Sequence, residues 1–105
     1  MARPLSDAML TRARSLSLVD GFKLFGWGWS KDPDYKPRLD PNSRRINVSM
    51  PSGEVRELLI TGEKWFNTRQ KVGGYGVIDL VMHLEDLDFP KAVRAINKKL
   101  REMPK

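Results

Sequence analysis

Apolar and polar positions along this chain follow a helical period at both ends and a period of two in the middle. Near the start, Met9, Leu10 and Ala13 share one side of a helix. Ser6 is placed as its N-cap, with Asp7 at the positive end of the helix dipole. A second short helix is predicted over Ser17–Phe25, where Leu18, Val19, Phe22 and Phe25 recur at helical spacing. Gly21 weakens it and Gly26 stops it. From Gly26 the helical period disappears. Gly26-Trp27-Gly28-Trp29 alternates tiny and large residues and suits extended backbone. Residues 30–44 hold three prolines among many turn formers and read as a loop, long for a compact domain.

Period two then takes over. Ile46, Val48 and Met50 alternate with polar neighbours in a strand over Arg45–Met50. Pro51–Glu54 forms a turn, and Val55–Ile60 returns as the second arm of a hairpin. Thr61–Glu63 is a further turn, and Lys64–Asn67 is the third strand. Sequential strands usually pair, so the expectation is a meander of three antiparallel strands. Trp65 and Phe66 must point to opposite faces, and the expectation is Phe66 inside. Gly76–Leu84 is apolar on most sides and reads as a buried helix. The last helix is predicted over Phe89–Arg101, with Phe89, Ala92, Val93, Ile96 and Leu100 as its apolar stripe and Pro90 tolerated in the first turn. The predicted fold is α+β: N-terminal helices, a three-stranded antiparallel sheet and two C-terminal helices packed on it. Ile78, Val81, Phe89, Val93 and Ile96 form the core where those helices meet the sheet. One domain over residues 1–105 is expected, with residues 1–15 a partly flexible helix.

Composition narrows the chemistry. The chain has no cysteine and one histidine, His83. Disulfides and thiolate zinc sites are excluded, and no cofactor is expected. No apolar run reaches a membrane span, and MARPLSDAML has no apolar signal core, so a cytoplasmic location is expected. The net charge of +6 attracts polyanions. It also serves solubility.

Aromatics and cations are interleaved. Trp27, Trp29, Tyr35, Trp65 and Tyr75 lie among Lys31, Lys36, Arg38, Arg44, Arg45, Lys64, Arg69 and Lys71. Single-stranded nucleic acid is held by such a mixture: rings stack on bases and cations follow the backbone. The competing reading buries the tryptophans in the core. Gly73-Gly74-Tyr75-Gly76 opens a helix and either offers backbone N–H groups to an anion or makes a tight strand-to-helix connection. Asp79 and His83 stand four apart on the buried helix and read as a hydrogen-bonded structural pair. Lys91, Arg94, Lys98, Arg101 and Lys105 form a basic stripe, read mainly as a solvated face. No nucleophile, carboxylate pair or metal cluster has enzymatic spacing, so no catalytic residue is assigned.

Trp65-Phe66, Gly73-Gly74, Ile78-Asp79-Leu80 and Asp88-Phe89-Pro90-Lys91-Ala92-Val93 together resemble the C-terminal half of the zinc-binding domain of bacterial DNA primases. Ser17-Leu18-Val19-Asp20-Gly21-Phe22 resembles the short helix before that family's first zinc ligands. The closest subtype is the degenerate, cysteine-poor form found in primase- or Toprim-related proteins of plasmids and integrated mobile elements. The positions of the family's cysteine knuckle fall near Thr68 and Lys71. The resemblance implies a zinc-ribbon-like module that folds without zinc and binds single-stranded DNA in replication or transfer of a mobile element. It implies a primase, a helicase or a Toprim-domain protein as partner, and no membrane. The expected contact residues are Trp65, Arg69, Lys71, Arg44, Arg45, Lys64 and Tyr75. The alternatives are a protein-interaction adaptor on the same scaffold, or the N-terminal module of a longer primase-like protein.

Overall fold

Among the described residues, five antiparallel strands, not three, make the sheet, in the order β1 (Gly28–Lys31), β2 (Arg44–Ser49), β3 (Val55–Thr61), β4 (Lys64–Asn67) and β5 (Val72–Tyr75). Four helices accompany it there: α1 (Asp7–Arg14), α2 (Leu18–Leu24), α3 (Gly76–Leu84) and α4 (Phe89–Glu102). The computed structural model describes residues 5–32, 36 and 41–103. The α+β class stands, and the three-stranded count is corrected by a strand at each edge. β1 pairs with β2, Trp29 opposite Val48. It takes Ser30 and Lys31 from the stretch expected to be loop; residues 33–35 and 37–40 of that stretch lie outside the described residues. β5 pairs with β4, placing Gly74 opposite Trp65 and Gly73 opposite Phe66. Two adjacent glycines read as a turn in sequence because they lack the packing side chains of a strand. Here they are paired because two large rings need the space above them.

The connections explain the register. Gly62 and Glu63 are the whole loop between β3 and β4, since Thr61 pairs with Lys64. Gly62 has φ 62° at the first loop position, where two-residue hairpins of type II′ place glycine. That turn sets Ile60 opposite Trp65 and Leu59 opposite Phe66. Ile60 is buried, so Trp65 goes inward with it and Phe66 outward. Trp65 is 4% exposed and Phe66 40%. This reverses the expected assignment of the two rings.

Ile46, Val48, Leu58, Ile60 and Trp65 line the buried face. α2 lies against β1, α3 lies against β4 and β5, and α1 and α4 pack behind on the other helices. α2 begins with a capping box between Ser17 and Asp20. The carboxylate of Glu63 accepts the Leu18 N–H at 3.1 Å, and its carbonyl accepts the Gly76 N–H at 2.8 Å, so one hairpin residue holds the starts of two helices. Asp88 caps α4 by accepting the Lys91 N–H. Ile78, Val81, Val93 and Ile96 are buried, but α4 reaches no strand, so Val93 and Ile96 pack among the helices and not on the sheet as expected, and Phe89 stands 37% exposed at the first turn of α4. Trp27 belongs to the core, donating its indole N–H to Glu85. No helix among the described residues is long and apolar enough to cross a membrane.

Candidate nucleic-acid interface

The helices cover one face of the sheet, and no described element packs on the other. Alternation along each strand decides what that open face carries. The row Arg45, Leu59, Phe66, Gly73 crosses β2 to β5, and the row Thr61, Lys64, Tyr75 lies beside it. Phe66 is 40% exposed and Tyr75 65%. The two rings sit on neighbouring strands, two residues out of register. Such diagonal positions are on the order of 7–8 Å apart. Lys64 is exposed directly opposite Tyr75. Arg69 and Lys71 are exposed on the turn that joins β4 to β5.

Asn67 builds that turn. Its side chain is buried beneath the sheet. Its Oδ1 accepts the backbone N–H groups of Arg69 (3.1 Å) and Gln70 (3.2 Å), which fixes the amide orientation. Its Nδ2 donates to Gln70 Oε1 and, at 3.0 Å, to His83 Nε2 on α3. The Lys71 N–H closes the loop on the Asn67 carbonyl at 2.8 Å, with Lys71 at φ 56°. On the β3 side, Thr68 donates its hydroxyl to Glu57. Because His83 Nε2 accepts a hydrogen bond, its ring is neutral. Desolvation, with the Arg56 charge second, holds its pKa below the ordinary 6.5. The expected Asp79–His83 pair does not form. His83 turns to Asn67 and stacks on Trp65 at 5.1 Å, and Asp79 accepts the Tyr75 N–H at 3.1 Å.

The seven sequence-predicted contact residues therefore separate. Lys64 and Tyr75 share the open face, and Arg69 and Lys71 stand at its rim. Arg45 is on the open face but is held by Asp32, with Nε and Nη2 at 2.8 and 2.5 Å from one carboxylate oxygen. Arg44 is exposed on the opposite face, opposite Ile60, beside a cleft that also takes in Trp29. Trp65 is in the core and cannot stack on a base. Its indole N–H is buried without an acceptor, so ring packing alone holds it there. Phe66 is the residue that sequence reasoning misplaced. Its period-two signal is plain, but the phase of that signal is set by the length of the preceding hairpin loop.

Glycine geometry answers the anion question at Gly73–Gly76. A Cβ on Gly74 would lie 2.7 Å from Trp65 Cζ2, and one on Gly73 would lie 3.0 Å from Phe66 Cδ2. Gly76 takes φ 85° where β5 turns into α3. The Asp79 carboxylate sits at the start of α3, where an anion would. Only Gly76 makes the expected tight strand-to-helix connection; Gly73 and Gly74 are strand residues that leave room for the two rings. Among the described residues, no group of three His, Cys, Asp or Glu could hold a metal ion. No protein-family model matches the chain, and comparison with curated proteins and with solved structures gives no match either.

Proposed function

We propose that the domain is a binding module, not an enzyme, and that its uncovered sheet face holds single-stranded nucleic acid in the manner the primase resemblance implies. One observation carries the reading: two exposed rings, Phe66 and Tyr75, stand on the open face with Lys64 beside them and Arg69 and Lys71 at the rim. Stacking needs exposed rings, and backbone tracking needs cations next to them. Paired bases in a duplex hide the faces these rings would contact, so single strands are favoured. An adaptor surface would instead show an uncharged apolar patch at this place. Single-stranded DNA of a mobile element's replication or transfer machinery is the ligand we assign, with a primase, helicase or Toprim-domain protein as neighbour.

The test is a fluorescence titration with a short oligothymidylate at several salt concentrations. Phe66→Ala and Tyr75→Ala should each weaken binding by ~1–3 kcal/mol with little change of salt slope. Arg69→Gln with Lys71→Gln should flatten the slope by about 0.7 for each phosphate that is no longer neutralised. Failure of the wild-type domain to bind at low salt would leave the open face as a protein-docking surface.

A further inference from the structure

Helix α4 presents a second charged surface, away from the sheet. From Lys91 to Arg101 the helix carries five cations and no acid. At 100° per residue, Lys91, Arg94, Lys98 and Arg101 fall on one side, opposite the buried stripe of Ala92, Val93 and Ile96. Lys91, Lys98 and Arg101 are exposed, and no ion pair is formed by them among the described residues. α4 touches α1, α2 and α3 but no strand. Its outer side is therefore separate from the open sheet face, although Phe89 in its first turn lines a cleft together with Tyr75. A solvated helix face shaped for stability alternates acids with bases at i, i+4. This one places like charges at i, i+3 and i, i+4 throughout.

We infer that the outer face of α4 binds the phosphate backbone of duplex nucleic acid without reading its sequence. From Lys91 to Arg101 the cations span ten residue steps, about 15 Å at 1.5 Å per residue. Duplex DNA carries one negative charge per ~1.7 Å of axis, so a strip of that length meets several phosphates. Nothing on the strip reads bases: it carries no aromatic residue, and the one amide of the helix, Asn97, is buried and donates to the Met9 and Val93 carbonyls. The same geometry disfavours the other polyanions. A membrane-surface helix inserts apolar residues beside its cations, whereas the apolar stripe of α4 is spent inside the domain. Phe89 and Met103, its partly exposed apolar residues, lie at opposite ends and in phase with that buried stripe. An acidic protein partner would need an apolar or aromatic anchor within the patch, and none is there. This inference does not rest on the sheet-face reading.

The experiment compares two triple variants of equal net charge by anisotropy of a labelled duplex DNA between about 50 and 200 mM salt. Lys91→Gln, Lys98→Gln and Arg101→Gln together should lower duplex affinity at least about tenfold at the lower salt. The salt slope should fall by about 2.7, at about 0.9 per neutralised phosphate. Lys23→Gln, Lys31→Gln and Lys36→Gln together, removing exposed cations elsewhere, should leave most of the affinity and the slope. Equal losses in the two variants would show that net charge alone acts and would overturn the assignment. So would wild-type protein that ignores duplex at low salt, or an α4 variant that loses binding to anionic phosphatidylserine vesicles while keeping the duplex.

Discussion

Gly74→Ala tests the packing that decides which ring faces solvent. Gly74 lies opposite Trp65, and an added Cβ would stand 2.7 Å from Cζ2 and 2.9 Å from Cε2 of that indole, and 3.0 Å from Asp79 Cβ. The indole is 4% exposed and stacked on His83, so it cannot swing away as a surface side chain would. Overpacking of this kind costs ~1–3 kcal/mol. The reduced freedom of the unfolded chain returns ~0.4–1 kcal/mol of that. A net loss of about 1–2 kcal/mol follows, a fall in Tm of roughly 4–16 °C for a domain of this size. Gly28→Ala is the control: the nearest atom to its Cβ, Ser49 Cβ, is at ordinary contact distance, 3.6 Å, and the change should stay within ~0.5 kcal/mol. Trp65→Phe removes the atoms that collide, so in that background the Gly74→Ala penalty should shrink by at least ~0.5 kcal/mol. Thermal unfolding followed by circular dichroism gives all four numbers. If Gly74→Ala unfolds with Gly28→Ala, Trp65 does not lie over β5, and the assignment of Phe66 to the open face falls with it.

Three other outcomes are expected. Ile96→Ala should cost ~2–5 kcal/mol, because Ile96 is fully buried where α4 meets the other helices; a change within ~0.5 kcal/mol in a denaturant titration would put the helix phase in error. His83 is held neutral in the fold and its pKa is depressed, so the unfolded chain binds its proton first as pH falls. Stability should therefore drop as pH is lowered through about 6.5 and level off below the folded-state value; His83→Gln should remove that component, and parallel Tm-versus-pH curves for the two proteins would refute the assignment. Unfolding midpoints measured with and without a chelator should coincide, since the sequence has no thiolate and a single imidazole; a large drop with chelator would contradict this.

Much of the fold was legible because its signals are local. Both N-terminal helices carry their serine caps, and α3 and α4 carry long apolar patterns between Gly76 and Leu100. What failed was longer-ranged. β5 has too few side chains to announce itself as a strand, and its glycines make sense only once Trp65 and Phe66 are laid across them. β1 is four residues of which Gly28 and Trp29 read as extended, but Ser30 and Lys31 run into a proline-rich stretch, and only pairing with β2 makes the segment a strand. The candidate site was half legible for a related reason. Composition marks Lys64, Arg69, Lys71 and Tyr75 as an aromatic and basic cluster, but facing is a property of register. A one-residue difference in the reading of Thr61–Lys64 exchanges Trp65 and Phe66 between core and solvent.

The β4–β5 turn shows how function and stability share residues here. An asparagine at the end of β4 organises it. Asn67 accepts two backbone N–H groups and donates to Gln70 and His83. Each such bond contributes ~0.5–1.5 kcal/mol net, so the set contributes a few kcal/mol. The core lies directly beside the turn, with Leu58 opposite Asn67 and Trp65 two residues along β4. The Trp65 ring covers Gly74, stacks on His83 and so backs the imidazole that Asn67 holds. A large aromatic is thus committed inward at the position where the open face would otherwise have had its broadest stacking surface. That face keeps the smaller rings of Phe66 and Tyr75. On the proposed function, its affinity for single strands leans more on Lys64, Arg69 and Lys71, and so on salt, than a tryptophan platform would.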